Sequence, residues 1–300
     1  MNKILRIIKE FLKIFSFLNI FLSFIYNGLS ILLSRKLVQR KLDSKDILLT
    51  TVCNDKYIDG LLILLLSIIK NNKNFDYKLK IYYQEDFSAS NKMKVKKIYQ
   101  NVEFEDVQEE FYKDVYKWFM CLCAFKEYEY KRVVFIDSDM ICLGDINDII
   151  NANVNGIGFC PDINFNILNN FWITIPKLFD FNTGLMVIDK EYRTPEFYNK
   201  LLEYSKKQPD AHLGDQTILN RLLLGKWITY LPSRYNCKRN VFYNLNYNFY
   251  NNPKIIHFCG GNKPFLETKE KMYSTKICKN LIDEYFKYRE EINKLIYGNS

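Results

Sequence analysis

The residues of this 300-residue chain best placed to do chemistry lie in Lys131 to Gly144, KRVVFIDSDMICLG. An apolar run, Val133 to Ile136, leads into Asp137-Ser138-Asp139, and a second apolar set, Met140 to Leu143, follows. Two carboxylates one residue apart in apolar surroundings are costly unless a cation compensates them. Their oxygens suit Mg²⁺ or Mn²⁺, so Asp137 and Asp139 read as metal ligands. The β-branched and aromatic run before them predicts a strand buried on both faces, as in a parallel sheet covered by helices. Acids at its end then stand at the carboxyl edge of the sheet, where open α/β folds bind ligands.

D-x-D by itself leaves two other accounts open. The acids can belong to an ordinary loop with helix-capping residues. Haloacid-dehalogenase-like phosphatases also place hhhhDxD at a strand end, but they continue with a small pair such as Gly-Thr where this chain has Met140-Ile141.

The flanking sequence must supply a sheet to carry the acids. Strands are predicted at Asp46 to Val52, Lys78 to Tyr83, Val102 to Val107 (an edge strand), Gly156 to Cys160, Leu185 to Ile188, Trp227 to Leu231 and Lys254 to Phe258. Helices are predicted at Gly60 to Lys70 with Asp59 as cap, Ser90 to Gln100, Phe111 to Phe125, Glu196 to Ser205 and Asp215 to Leu224. A last helix, Leu281 to Ile296, places Leu281, Tyr285, Tyr288, Ile292 and Leu295 on one face, and packing on the domain explains that face. Strands alternating with helices mean βαβ units and a mostly parallel sheet, an α/β fold. Two Asn-rich aromatic stretches, Asp162 to Phe181 and Tyr235 to Asn252, are long for loops and fit a functional role.

Charge and cysteine usage narrow the function. The net charge is +9, yet residues 1–45 hold nine Lys or Arg against two acids, which leaves +2 for the rest. A clustered basic footprint for nucleic acid is therefore not supported. The uncharged run Ile14 to Ser34 matches a hydrocarbon core in length if helical, though it contains Asn19, Asn27 and Gly28. A single-span anchor and an interfacial helix both fit it, with basic flanks that favour anionic headgroups; no A-x-A-like cleavage site follows. Eight cysteines without a C-x-x-C pair read as reduced core residues and point to a reducing, cytoplasmic compartment. The chain divides into 1–45, a membrane-associating segment; 46–265, a catalytic domain; and 266–300, a helical tail.

Four further motifs accompany the acidic pair: NDKY (Asn54 to Tyr57), FNTG (Phe181 to Gly184), HLGDQTILN (His212 to Asn220) and HFCGGNKPF (His257 to Phe265). Singly each has a plain account, FNTG as a turn, GDQ as a helix N-terminus and HFCGG as a strand with a glycine turn. Together, in this order around a strand-borne D-x-D, they closely resemble glycosyltransferase family 8, the glycogenin-like and bacterial lipopolysaccharide hexosyltransferases. The resemblance covers about Ile47 to Phe265, with H-x-x-G-x-x-K-P as its most specific part.

The resemblance implies a GT-A type nucleotide-sugar-binding fold and a retaining hexosyltransferase that moves glucose or galactose from a UDP-sugar to a saccharide or glycolipid acceptor. It adds His257 to Asp137 and Asp139 as a metal ligand, a set that suits Mn²⁺ or Mg²⁺. Gly260 and Gly261 would let backbone N–H groups approach phosphate, and Lys263 would meet the leaving diphosphate. Asn54 and Tyr57 would lie at the nucleoside and Ser138 at the ribose, while Asn182, Asp215 and Gln216 would hold the donor sugar. Asp215 and Gln216 take positioning and charge-stabilising roles at the anomeric carbon, with no assigned nucleophile. One departure stands out: the family's basic residue, sixteen or seventeen positions before the first Asp, falls on Met120 and Cys121, with Lys117 and Lys113 one and two turns earlier. Two rival readings are a non-catalytic sugar-nucleotide-binding or scaffold protein of the same fold, and a metal-dependent phosphohydrolase.

Overall fold

The apolar runs become strands, and amphipathic or wholly apolar segments cover them. The computed structural model describes residues 37–108, 117–162, 180–208, 214–238, 253–261, 263–275 and 279–298. Its strands are β1 Ile47–Val52, β2 Lys78–Tyr83, β3 Val102–Asp106, β4 Arg132–Ile136, β5 Met140–Cys142, β6 Ile157–Pro161, β7 Phe181–Asp189, β8 Thr229–Tyr230, β9 Cys237–Lys238 and β10 Ile255–His257. The longer helices are α1 Ile58–Asn71, α2 Ala89–Ile98, α3 Pro195–Lys206, α4 Asp215–Leu222 and α5 Lys279–Tyr297. Among the described residues, one sheet runs β3-β2-β1-β4-β7-β6-β8 and a smaller one β5-β10-β9.

The large sheet is mostly parallel, as β3, β2, β1 and β4 pair in parallel, with β3 at the edge. β7 runs antiparallel to both β4 and β6. That reversal decides the site, because Ile136 at the end of β4 pairs with Leu185 near the start of β7. Residues Phe181 to Gly184 therefore continue past the carboxyl edge of β4, beside the two acids. At the opposite end of this pair, Arg132 is fully buried and makes two bonds to Asp189, at 2.6 and 2.9 Å. A buried, bidentate charge pair tolerates little misalignment, so it helps fix the register of β4 against β7.

α1 is apolar nearly all round, and ten of its residues are buried. Each buried Leu or Ile contributes about 1.5–3 kcal/mol by area, an upper estimate. It packs against β5 and α5, and its few polar groups pin β5: Ser67 Oγ accepts from Cys142 N at 2.9 Å, and Asn71 Nδ2 donates to Cys142 O at 3.1 Å. The turn Asp137–Asp139 thus runs between a strand locked in the large sheet and one pinned to α1.

Several sequence expectations need correction. Lys117–Lys126 is a 3₁₀ helix, not an α-helix; the earlier part of the predicted helix, 111–116, and with it Lys113, lies outside the described residues. FNTG is strand, where its plain account was a turn, because Phe181 and Asn182 pair with Pro161 and Cys160 of β6. Asp59 lies inside the first turn of α1, whose N-cap is Tyr57, a residue that makes no side-chain cap bond. In α5 the inward position is Ile296, while Leu295 is 54% exposed. Residues 1–36 lie outside the described residues, so the hydrophobic N-terminal helix does too; among the described residues no helix is long and apolar enough to cross a membrane. Residues 37–45 lie against the domain, through the Gln39–Ala152 bridge and Arg40 N to Asn151 O at 2.7 Å. None of the seven described cysteines is in a disulfide, and all but Cys259 are buried.

Candidate active site

The acidic turn leaves β4 and enters β5, crossing from one sheet to the other. Asp137 N donates to Gly184 O at 2.9 Å, so β7 holds its first residue. Phe258 N donates to Asp139 O at 3.0 Å, so the segment after β10 holds its last. His257 ends β10 and pairs with Met140 of β5. Its Nε2 lies 3.1 Å from Asp139 Oδ1 and 3.6 Å from Asp137 Oδ2. Ligand atoms from Asp137, Asp139 and His257 all fall within 4.8 Å of one another.

Gly184 makes room for this cluster. A Cβ there would sit 2.4 Å from His257 Cε1, 2.6 Å from Nδ1 and 2.7 Å from Met140 Cε, inside contact distance of the ring. The glycine of FNTG is thus a steric requirement of the imidazole.

The charges are arranged as a cation site demands. His257 Nδ1 lies 3.0 Å from Asn236 Oδ1, and a ring that donates there presents its Nε2 lone pair to the carboxylates. Asp139 Oδ1 is buried and has no hydrogen-bond donor. An orphaned carboxylate oxygen facing an imidazole lone pair, with a second carboxylate beside it, fits a divalent ion with mixed oxygen and nitrogen ligands. Burial opposes ionisation of Asp139, but a protonated His257 ring, in place of a cation, and the Lys263 ammonium outweigh it and hold its carboxyl well below the usual range. Asp137 is pushed up, by burial first and by the Asp139 charge next. Lys263 bonds Asp139 Oδ2 and donates to Phe258 O at 2.7 Å.

A cleft opens beside the cluster, lined by Asn54, Tyr57, Gln84, Asp86, Met120, Cys121, Asp137, Ser138, Asp139, Asp215 and Lys263 among others. Asn54 Oδ1 accepts from Tyr57 N at 3.2 Å and so shapes the NDKY turn. The Tyr57 ring packs on Phe265 at 5.1 Å between centroids, which fixes one wall. Asp215 opens α4, and burial raises its carboxyl to about 6 against hydrogen bonds from Thr183, Cys121 and the backbone. Gly260 has φ +80°, a conformation that favours glycine, whereas a Cβ at Gly261 would meet nothing within 4 Å.

Asn182 and Gln216 lie deeper, in a chain of side-chain amides. Asn236 Nδ2 donates to Asn182 Oδ1 at 2.7 Å, Asn182 Nδ2 to Gln216 Oε1 at 2.8 Å, and Gln216 Nε2 to Asp162 Oδ2 at 2.8 Å. Lys238 pairs with Asp162 at the far end. Sequence reasoning missed Asn236, Asp162 and Lys238, since none stands in a motif; only their place within the two Asn-rich stretches hinted at them. Cys121, which stands near the place of the family's basic residue, is buried and hydrogen-bonds Asp215; burial pushes its thiol well up. His212 and most of the two Asn-rich stretches (163–179 and 239–252) lie outside the described residues, and nothing of the Lys117 side chain is described.

Comparison with known proteins gives a consistent picture. Residues 48–269 match the family described as Glycosyl transferase family 8. General stress protein A of Bacillus subtilis is 28% identical over 192 residues, covering 58% of this chain and 64% of that protein. Glycogenin-1 of Mus musculus is 29% identical over 145 residues, covering 46% of this chain and 38% of that protein. The chain thus spans less than two thirds of the length of either relative. In fold it is similar to the galactosyltransferase LgtC in complex with donor and acceptor sugar analogs, with TM-score 0.61 at 16% identity over 81% of this chain and 95% of that one.

Proposed function

Because the chain belongs to glycosyltransferase family 8, and is on that account a glycosyltransferase, we propose that it moves glucose or galactose from a UDP-sugar to a saccharide or glycolipid acceptor, with retention of anomeric configuration. The observation that carries the reading is the meeting of Asp137, Asp139 and His257 at one end of a cleft whose other wall is built by Asn54 and Tyr57. Held by those three residues, Mn²⁺ or Mg²⁺ would act as a Lewis acid that offsets the charge of a leaving diphosphate.

The chain's own groups take the remaining roles. Tyr57 offers a flat face to a uracil, and Ser138, buried between the two acids, faces the ribose. Lys263 sits close enough to the metal ligands to bring its ammonium to the diphosphate as negative charge develops there. Asp215 and Gln216 stand at the start of α4, where fixed donors and acceptors select and orient a hexose. With a cysteine thiol near the place of the family's upstream basic residue, charge on the donor falls to Lys263 and the metal. The uncharged run Ile14 to Ser34 further suggests association with a membrane surface from a reducing compartment, which vesicle partition of chains with and without residues 1–36 would test.

The test is a screen of UDP-hexoses for hydrolysis or transfer with Mn²⁺, Mg²⁺ or chelator. One donor should turn over only with metal, and Asp139→Asn should lose that turnover while keeping its fold. Full activity of Asp139→Asn in chelator would remove the metal from the reaction.

A further inference from the structure

We propose that Asn236 is a positioning residue that makes Nε2 of His257 the metal-facing nitrogen, and that the direction of its amide is set from the backbone of β7. The proposal rests on the metal-dependent reading above. Asn236 is almost fully buried, between the 3₁₀ turn Ser233–Tyr235 and β9. An amide's two ends have nearly the same shape, so its direction must come from a neighbour that can act in only one way. Gly184 N–H is such a neighbour, since a backbone N–H can only donate. It reaches Asn182 Oδ1 at 3.0 Å, which makes that atom the carbonyl oxygen.

The rest follows in sequence. The Asn236 group 2.7 Å from this oxygen must be its NH₂, so the group 3.0 Å from His257 Nδ1 must be its oxygen. An oxygen accepts, and Nδ1 therefore carries the proton. In the neutral ring, the form that binds a metal, Nε2 is then left with its lone pair toward Asp137 and Asp139. The other end of the chain agrees: Asn182 Nδ2 meets Gln216 Oε1, and Gln216 Nε2 meets the Asp162 carboxylate, which accepts. Two fixed points, a backbone N–H at the middle amide and a carboxylate at one end, thus enforce one polarity through three amides. Without the Asn236 oxygen, the ring is free to donate from Nε2 to Asp139 Oδ1, 3.1 Å away, which consumes the lone pair a metal needs.

The experiment measures Mn²⁺ affinity of nucleotide-free protein by calorimetry, with folding checked by thermal melts. Asn236→Leu should bind Mn²⁺ about 10- to 100-fold more weakly, the usual cost of losing a partner that orients a metal ligand. Asn236→Asp, which still accepts from Nδ1–H though it loses the donor to Asn182, should bind Mn²⁺ clearly more tightly than Asn236→Leu, a partial rescue that a merely space-filling role would not show. Asn182→Leu should also weaken Mn²⁺ binding, although no donor sugar is present, because the Asn236 amide is then free to turn. A readout independent of metal is the ¹⁵N–¹H spectrum of metal-free protein, where a protected His257 Nδ1–H should appear in the native chain and vanish in Asn236→Leu. The chain has two histidines, and His212→Gln assigns the signal. A folded Asn236→Leu with native Mn²⁺ affinity, or a native protein without that Nδ1–H, overturns the proposal. If Asn236→Leu does not fold, native affinity in Asn182→Leu overturns the amide relay instead. A native protein that shows the Nδ1–H yet binds no Mn²⁺ overturns the metal reading while supporting the hold of Asn236 on the ring.

Discussion

Gly184→Ala is the smallest change that should dismantle the metal cluster without touching a ligand. The added Cβ would sit 2.4 Å from His257 Cε1, whereas ordinary contact begins near 3.4 Å, so something must yield by about 1 Å. β7 is poorly placed to move, because Leu185 pairs with Ile136 and Gly184 O accepts from Asp137 N at 2.9 Å. Any shift of β7 would drag Asp137 with it. The ring yields instead, and it leaves both Asn236 and the position from which Nε2 can serve a metal, since coordination distances tolerate only about 0.2 Å. Losing the imidazole as a ligand should weaken Mn²⁺ binding by about 100-fold, or roughly 2.8 kcal/mol. Calorimetric titration of nucleotide-free Gly184→Ala, His257→Ala and the double variant provides the assay. The two single variants should bind alike, and the double should lose little more, because both remove the same ligand. Native Mn²⁺ affinity in a folded Gly184→Ala, or fully additive losses in the double variant, would refute the steric argument.

Two more expectations follow from the charges. If Lys263 acts mainly as charge develops on the diphosphate, Lys263→Ala should lower kcat more than it raises the donor KM, and steady-state kinetics showing the opposite split would limit it to ground-state binding. Asp215, with its carboxyl raised to about 6 in the fold, holds a proton more tightly folded than unfolded, so its ionisation lowers metal-free stability as pH rises from about 4 to 6. Asp215→Asn should therefore gain stability over native across that window, by up to about 3 kcal/mol at pH 7, and urea midpoints whose native-to-variant difference stays flat with pH would contradict this.

The sequence determined by itself whatever depends on local pattern. The apolar runs Ile47 to Val52 and Val133 to Ile136 could only be buried strands, and their alternation with helical stretches required an α/β sheet. D-x-D at the end of such a run, with FNTG, GDQ and HFCGGNKP in order after it, was enough to indicate the family. Local pattern could not supply strand direction or the partners of single polar residues. Nothing in FNTG says that β7 runs against β4, yet that reversal turns a supposed turn into the strand that holds Asp137 and leaves space for His257. β10 was legible as the strand Lys254 to Phe258, but the small sheet it belongs to was hidden, because β9 has two residues, too few for any periodicity, and exists through pairing with β10. Asn236 and Asp162 carry no motif at all. Their roles come from hydrogen bonds to residues 54 positions away in each case, and such bonds are set by tertiary packing, where a buried amide must find a partner wherever the fold brings one.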